Sequence, residues 1–501
     1  METHSDKSDS TVEHAVRRGT RAVVVAQVCS QFISIAVLAL LFRWLGPEPF
    51  GLWGMAFPAL LLARMLAGFG LQVSVVQAKS LDSESRDRVF WMSQALGCAA
   101  ALGMILAGPL LASLFGVPGL TPLCAGLALT LPLQALGSVH QGWWERQLAI
   151  GALAVVRVTA QLIGGVAALI LAWRGAGVWA LVGQQAIELT CLAGIMWWAS
   201  DWRPSLKNMK WHRDLFQFGS WYTGSLFLFY WAQNVDKFLL AWLLGMFPEG
   251  RVALGMYSQA YNLAMKPVLL VTTPLASVLI PGLAKLRDDR DRFSNLATRA
   301  LSLTSIVLVP AAVGIALVSS DVMSILGGGK WSSAAPILTM FCPLVAVQGL
   351  INLCGGVFAA KGKAKNLCWG ALGQAIILTV TTVGLTVYAK NNEWTPQQVV
   401  LAMAGAISGA TVCVIAIPYL FFCAASVGIA MNKLVRPLWP IIIPTAVMGI
   451  VVAAWRAALA DFAAPWLKLV LSAGLGIAVY AYFLKDQLRL VYQEWFFPKK
   501  V

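Results

Sequence analysis

Six side chains in this sequence carry charge where charge is costly. Arg64, Arg157, Glu188, Asp236, Lys237 and Lys266 all lie inside long apolar runs. A charged group near the middle of a bilayer costs roughly 2.5–3.5 kcal/mol, so it normally faces a cavity or a partner. Four of the six are cations and two are carboxylates. If they converge on a cavity, that cavity is an anion site. Arginine offers a planar fork that matches phosphate, and lysine a point charge. A diphosphate head group is the natural ligand for such a site, with Arg64, Lys266, Arg157 and Lys237 as substrate-binding candidates. Asp236 and Glu188 are candidates for ion coupling or for charge pairing. Each residue also has a plainer reading. Asp236 and Lys237 are adjacent, so on a helix they point about 100° apart and need other partners. Glu188 can bridge to Arg157, and Arg157, near a span end, can snorkel to the interface. Arg64 and Lys266 lie deepest and are hardest to assign to structure alone.

Uncharged polar residues accompany them. Gln27 and Gln31 are four apart, on one face of a helix, and Gln348 and Asn352 repeat that spacing. Gln259 and Asn262 precede Lys266, and Gln233 and Asn234 precede Asp236. Such stripes either tie helices together or line a hydrated path. The chain has 21 Trp. Trp44, Trp143, Trp144, Trp197, Trp198, Trp202 and Trp211 fall at span ends, as an interfacial belt requires. Trp221 and Trp231 lie deeper, where an aromatic wall suits core packing or sugar stacking. Catalytic constellations are missing. The stretch Gly327-Gly328-Gly329-Lys330-Trp331-Ser332 lacks the spacing of a phosphate loop. The four histidines form no metal pattern, and the nine cysteines include no CxxC pair, so no metal or cofactor is expected.

The elements that hold these residues are membrane helices. The 501 residues are 59% hydrophobic and 12% charged. Soluble domains carry about 25% charged residues, so this chain cannot cover a soluble surface. Its apolar runs exceed the roughly 9–11 residues of a barrel strand, which leaves helices. Fourteen spans are expected, with twelve as the alternative. They fall near 21–42, 50–77, 90–114, 120–140, 150–173 and 177–199, then 214–245, 252–284, 296–319, 334–360, 367–389 and 397–424. A final pair lies near 437–457 and 465–484. The expected division is a disordered cytosolic N-terminus over 1–16 and a six-helix bundle over 17–205. A second bundle follows over 206–430, then an extra helix pair over 431–486 and a cytosolic tail over 487–501. The polar N-terminus has no small-residue cleavage site, so the first apolar run is expected to be retained.

The net charge of +15 reflects topology. Lys and Arg concentrate on alternate loops, as in Arg17, Arg18 and Arg21, then Arg86 and Arg88, then Arg287, Arg290 and Arg292. This places both termini in the cytosol. No basic, aromatic-lined soluble module is present, which argues against nucleic acid. The two halves read as copies. Leu45-Gly46 followed by Phe50-Gly51-Leu52 corresponds to Leu244-Gly245 followed by Leu254-Gly255-Met256. On that alignment Arg64 falls two residues from the counterpart of Lys266. Six spans per half keeps one orientation for both copies.

Several stretches together resemble a known family: RRGT, LGPEPFGLWGMA, VDKFLLAWLLG, LGMYSQAYNLAMKP and LIPGLAKLRDD. They are similar to the polysaccharide transporter family, the O-antigen and exopolysaccharide flippases of the multidrug/oligosaccharidyl-lipid/polysaccharide exporter superfamily. The resemblance covers roughly residues 15–430 and is most specific over Asp236–Asp289. It implies two helical bundles around a central cavity that opens to either side alternately. The implied substrate and partner is an undecaprenyl-diphosphate-linked oligosaccharide, carried across the bacterial inner membrane for lipopolysaccharide, capsule or exopolysaccharide synthesis. Polysaccharide polymerase machinery is a further partner, beside the phospholipid bilayer itself. A proton gradient, a sodium gradient or the membrane potential is the candidate driving force. Two rivals are a cation-coupled drug or metabolite antiporter of the same superfamily and a membrane polysaccharide polymerase. The excess of intramembrane cations disfavours the first, and the short outer loops disfavour the second.

Overall fold

The computed structural model describes residues 25–68, 71, 75, 82–147, 149–205, 213–428, 439–458 and 464–496. The stretch 1–16 lies outside them. Fourteen helical stretches follow the fourteen apolar runs. The first six are α1 Val25–Leu45, α2 Pro47–Gly68, α3 Ser83–Phe115, α4 Leu120–Arg146, α5 Ile150–Trp173 and α6 Trp179–Trp198. The next six are α7 Arg213–Leu244, α8 Pro248–Lys285, α9 Arg290–Gly327, α10 Ala334–Ala360, α11 Ala364–Asn391 and α12 Pro396–Val427. The last two are α13 Trp439–Ala458 and α14 Pro465–Phe496. The fold is an all-helical, polytopic membrane fold. Helices dominate because a spanning segment must satisfy its own backbone hydrogen bonds.

Eleven of these stretches are long and apolar enough to cross a membrane. Polar and charged residues interrupt α6, α7 and α8, at Gln185 and Glu188, at Asp236 and Lys237, and at Gln259 and Lys266. Outward faces are apolar, as lipid requires; Leu106, Leu110 and Ile477 are about two-thirds or more exposed.

Helix ends obey local rules. Asp82 caps α3 by accepting from the Ser85 N–H at 3.2 Å, and hydrogen bonds from the Ser85 side chain and then its backbone hold the Asp82 carboxyl below the usual range. Asp289 caps α9 through the Arg292 N–H at 3.0 Å. Thr395 and Gln398 form a capping box at the start of α12. Inside α12 the backbone widens to a π-helix over Ala410–Ala416. Such insertions often accompany functional sites.

The chain divides into two compact units. One comprises the described residues up to Tyr230 together with Ala241–Gly255, and the other Trp231–Leu240 and the residues from Met256 onward. In the first unit α5 lies close along α6. A Cβ on Gly164 would come within 2.9 Å of both the Gln184 carbonyl and the Glu188 Cβ, so only glycine allows this approach. In the second unit α9 runs against α10, where Ser319 and Thr339 are 2.9 Å apart. The terminal pair docks on α9: Arg456 of α13 binds Asp321, and the Tyr480 hydroxyl of α14 donates to the Ile306 carbonyl at 2.8 Å. Gly405 and Gly409, four residues apart on α12 in a spacing that often marks close helix packing, make no tight helix contact here. A Cβ on Gly409 would meet nothing within 4 Å, and one on Gly405 only the Met340 sulfur at 3.7 Å.

Candidate functional site

In the second unit Asp236 and Lys237 are both buried, at 4% and 7% exposure. Their partners lie on α7 itself and on α8. The Tyr257 hydroxyl, on α8, donates to Asp236 Oδ2 at 2.6 Å. Lys237 curls back along its own helix. Its Nζ donates to the Gln233 carbonyl at 2.9 Å, lies 3.7 Å from Asp236 Oδ1 and sits 4.1 Å from the centre of the Tyr261 ring. Adjacent helical residues diverge at Cβ, but the four-carbon lysine stem is long enough to return. Phe341 of α10 steadies both tyrosines, with ring centroids at 5.1 and 5.3 Å.

Beside this pair lies a cavity of about 20 Å³. That is large enough for one water molecule, which needs roughly 10–15 Å³ and several polar partners. Asp236, Gln233, Tyr261, Gln348, Gln374 and Thr411 supply polar walls, and Thr411 belongs to the π-helical segment of α12. Of the predicted polar residues, Gln348 is here, and its amide donates to Asn352 at 3.0 Å. Gln259 is buried, Asn262 exposed and Lys266 half-buried; none of the three lines the cavity. Tyr257, Tyr261, Gln374 and Thr411 went unread in the sequence. Gln374 stands alone in an apolar run, a signal equal to that of Gln348.

In the first unit Arg64 of α2 donates from Nη2 to Gln185 Oε1 on α6 at 2.8 Å. Its Nε is buried without a partner. Glu188, one turn on from Gln185, is the carboxylate whose charge acts on Arg64. Arg64 therefore has a counter-charge on a neighbouring helix, although none lies one turn away on its own. The expected Glu188–Arg157 bridge does not form. Arg157 is half-exposed and pairs with Glu145 at 3.0 Å and with Gln141 at 3.2 Å. Gln27 is exposed and Gln31 half-buried. The bonds between α1 and α5 run through other residues: the Ser30 hydroxyl donates to Gln161 Oε1 at 2.5 Å, and Gln161 donates back to the Ser30 carbonyl at 3.1 Å.

Arg64, Gln185 and Glu188, and Asp236, Lys237, Tyr257 and Tyr261, lie on the stretch that a family model recognises, while Phe341, Gln348, Gln374 and Thr411 lie beyond it. A model described as polysaccharide biosynthesis protein matches residues 37–336. The chain belongs to this family. One relative is the lipopolysaccharide biosynthesis protein WzxC of Escherichia coli (strain K12), 25% identical over 69% of this chain and 70% of that protein. Another is the succinoglycan biosynthesis transport protein ExoT of Rhizobium meliloti (strain 1021), 27% identical over 70% of this chain and 69% of the other. Among solved structures, the lipid II flippase MurJ in an inward closed conformation is similar with a TM-score of 0.68. That match covers 94% of this chain and 99% of MurJ at 15% identity, a likeness of fold.

Proposed function

We propose that this protein flips an undecaprenyl-diphosphate-linked oligosaccharide across the bacterial inner membrane by alternating access, for the assembly of a surface polysaccharide. The observation that carries the reading is the Arg64 guanidinium. One edge is fixed on Gln185, while Nε is buried with no partner. A native protein rarely leaves such a donor unmet unless a ligand completes it. An anion with several acceptor oxygens is the ligand that fits a guanidinium edge. Lys266 in the second unit is proposed as a further phosphate ligand, with Arg157 and Lys237 as the other cationic candidates. Family membership supports the glycan, and the names of WzxC and ExoT support a surface polysaccharide.

The Asp236–Tyr257–Lys237 cluster is proposed as the ion-coupling or charge-pair element. A buried carboxylate beside a water-sized polar cavity suits an exchangeable ion better than it suits glue. Both termini are proposed to face the cytosol, from the distribution of Lys and Arg.

Deleting the gene in its host tests the function. The expected result is loss of one surface polysaccharide together with accumulation of its lipid-linked repeat unit on the cytosolic leaflet. Unchanged polysaccharide and no accumulated intermediate would overturn the proposal.

A further inference from the structure

At one end of the first unit the helix ends line a recess of about 440 Å³. Ligand pockets run roughly 300–1,000 Å³, so it is large enough for a small molecule. Arg86 enters from the first turn of α3, Trp143, Trp144 and Gln147 from the end of α4, and Asp201 and Trp202 from the segment after α6.

These tryptophans differ from the belt. Trp198 and Trp173 stand out at 86% and 77% exposure, as anchors in a lipid interface do. Trp202 instead turns inward. Its Nε1 donates to Asp87 at 3.1 Å, and its ring lies 5.1 Å from His140 and 6.1 Å from Phe90. Trp197, behind it, donates to the Leu136 carbonyl at 2.9 Å and sits 5.3 Å from His140. The wall is therefore held in place before any ligand arrives.

Arg86 is held on aromatic faces. Its guanidinium carbon is 4.3 Å from the Trp143 ring centre and 5.4 Å from that of Trp202. Its Nε is buried with no hydrogen-bond partner. A planar guanidinium held over aromatic faces keeps its donors in its own plane, where its edges can meet acceptors. Asp201 stands exposed at the same recess.

The inventory selects a ligand class. A bare phosphate would be repelled by Asp201. An acyl chain would need an apolar wall, which Arg86, Gln147 and Asp201 deny. A pyranose ring offers an apolar C–H face for an indole and hydroxyls that both donate and accept. Asp201 accepts, Arg86 donates, and Gln147 does both. Indole rings supply rigid amphipathic contact area. We infer that this recess binds a pyranose ring, and that it receives the glycan of the lipid-linked substrate before transport. The identity of the ligand rests on the flippase reading; the saccharide chemistry rests on the recess alone.

The purified full-length protein in detergent micelles tests this with methyl α-glucoside, methyl β-galactoside and N-acetylglucosamine as probes. Saturation-transfer NMR reads binding, with inorganic phosphate and glycerophosphoethanolamine as comparators. At least one sugar should bind, and Trp144→Ala and Asp201→Asn should each weaken it by about tenfold, the equivalent of 1.4 kcal/mol. Trp198→Ala, on the outward belt, should leave binding unchanged. Thermal unfolding of each variant separates lost binding from lost fold. Failure of all three sugars, or binding that ignores Trp144 and Asp201, overturns the inference. Stronger binding of glycerophosphoethanolamine would make the recess a lipid head-group site, and of phosphate alone an anion site; either result overturns it. Sugar binding in a protein that flips nothing would sink the flippase proposal and leave this one standing. Intact flipping with no sugar binding would do the reverse.

Discussion

Gly51 and Gly255 meet backbone to backbone. A Cβ on Gly255 would lie 2.8 Å from the Gly51 nitrogen and 2.1 Å from the Pro47 carbonyl oxygen. A Cβ on Gly51 would lie 1.9 Å from the Arg251 carbonyl oxygen. The contact joins the first turns of α2 and α8 within the first unit, and Arg251 closes it with two bonds to Glu48 Oε1 at 3.1 and 3.0 Å. The two glycines are the ones that align when the halves of the sequence are read as copies. Neither position has room for a methyl group. Gly51→Ala and Gly255→Ala should each lower stability by about 1–3 kcal/mol, the usual cost of overpacking. Gly314→Ala, where a Cβ meets nothing within 4 Å, is the control. Thermal unfolding in detergent decides it: equal melting of all three variants would mean that the close contact carries no weight.

The helices were legible because each apolar run has one solution in lipid. Even α6, α7 and α8, interrupted by polar and charged residues, were found from length and context. Charged candidates were legible one by one, since Arg64, Asp236 and Lys266 contradict their surroundings. Their partners were not. Tyr257 and Tyr261 look like ordinary aromatics until α8 brings them against Asp236 and Lys237. Gln185 drew no notice in the sequence, and α2 lays Arg64 on it. The Glu188–Arg157 bridge was the natural guess for neighbouring spans, but Arg157 sits where Glu145 of α4 is closer. Pairing across helices depends on rotation about each axis, which composition does not encode. The recess around Arg86 was hidden for a similar reason. Tryptophans at span ends satisfy the belt rule whether they face lipid or one another.

Topology gives a direct check on the Lys and Arg distribution. Reporter fusions at Lys363, between α10 and α11, should report the cytosol. Fusions at Lys330, between α9 and α10, and at Lys390, at the end of α11, should report the outside. Inversion at any two of these sites would overturn the proposed orientation of the termini.

Asp236 and Tyr257 should be separable from Lys237 by substitution. Tyr257→Phe removes one hydrogen bond and leaves a buried acceptor short of a partner, a cost of about 1–3 kcal/mol. Asp236→Asn is more severe, because it leaves the buried Lys237 ammonium without its carboxylate; breaking such a pair typically costs about 3–5 kcal/mol. Protein abundance should fall in that order. The pair Asp236→Asn with Lys237→Met removes both charges and should recover abundance. If the cluster couples an ion to transport, the doubly neutral protein will be present at normal level and inactive. Normal export by that variant would show that the two charges serve structure alone.

Arg64 is the sharpest test of the proposed substrate chemistry, because its structural and functional roles give opposite results. Arg64→Gln removes the guanidinium but also strips Glu188 of its counter-charge. Low abundance of that single variant is therefore expected on either reading. Adding Glu188→Gln removes the stranded carboxylate and should restore the protein to the membrane. If Arg64 serves only to neutralise Glu188, the double variant exports polysaccharide normally. If its free Nε edge binds the diphosphate, the double variant is abundant and silent, with lipid-linked oligosaccharide retained on the cytosolic leaflet. Arg64→Lys should retain part of the activity, since it keeps the charge and loses the fork. Lys266→Gln, measured beside them, asks the same question of the second unit. A phosphate ligand there predicts lost export at wild-type abundance, and Lys266→Arg should restore a share of it. Normal export by Lys266→Gln and by the Arg64/Glu188 pair together would leave the intramembrane cations as structural charges, and the diphosphate would have to be held elsewhere.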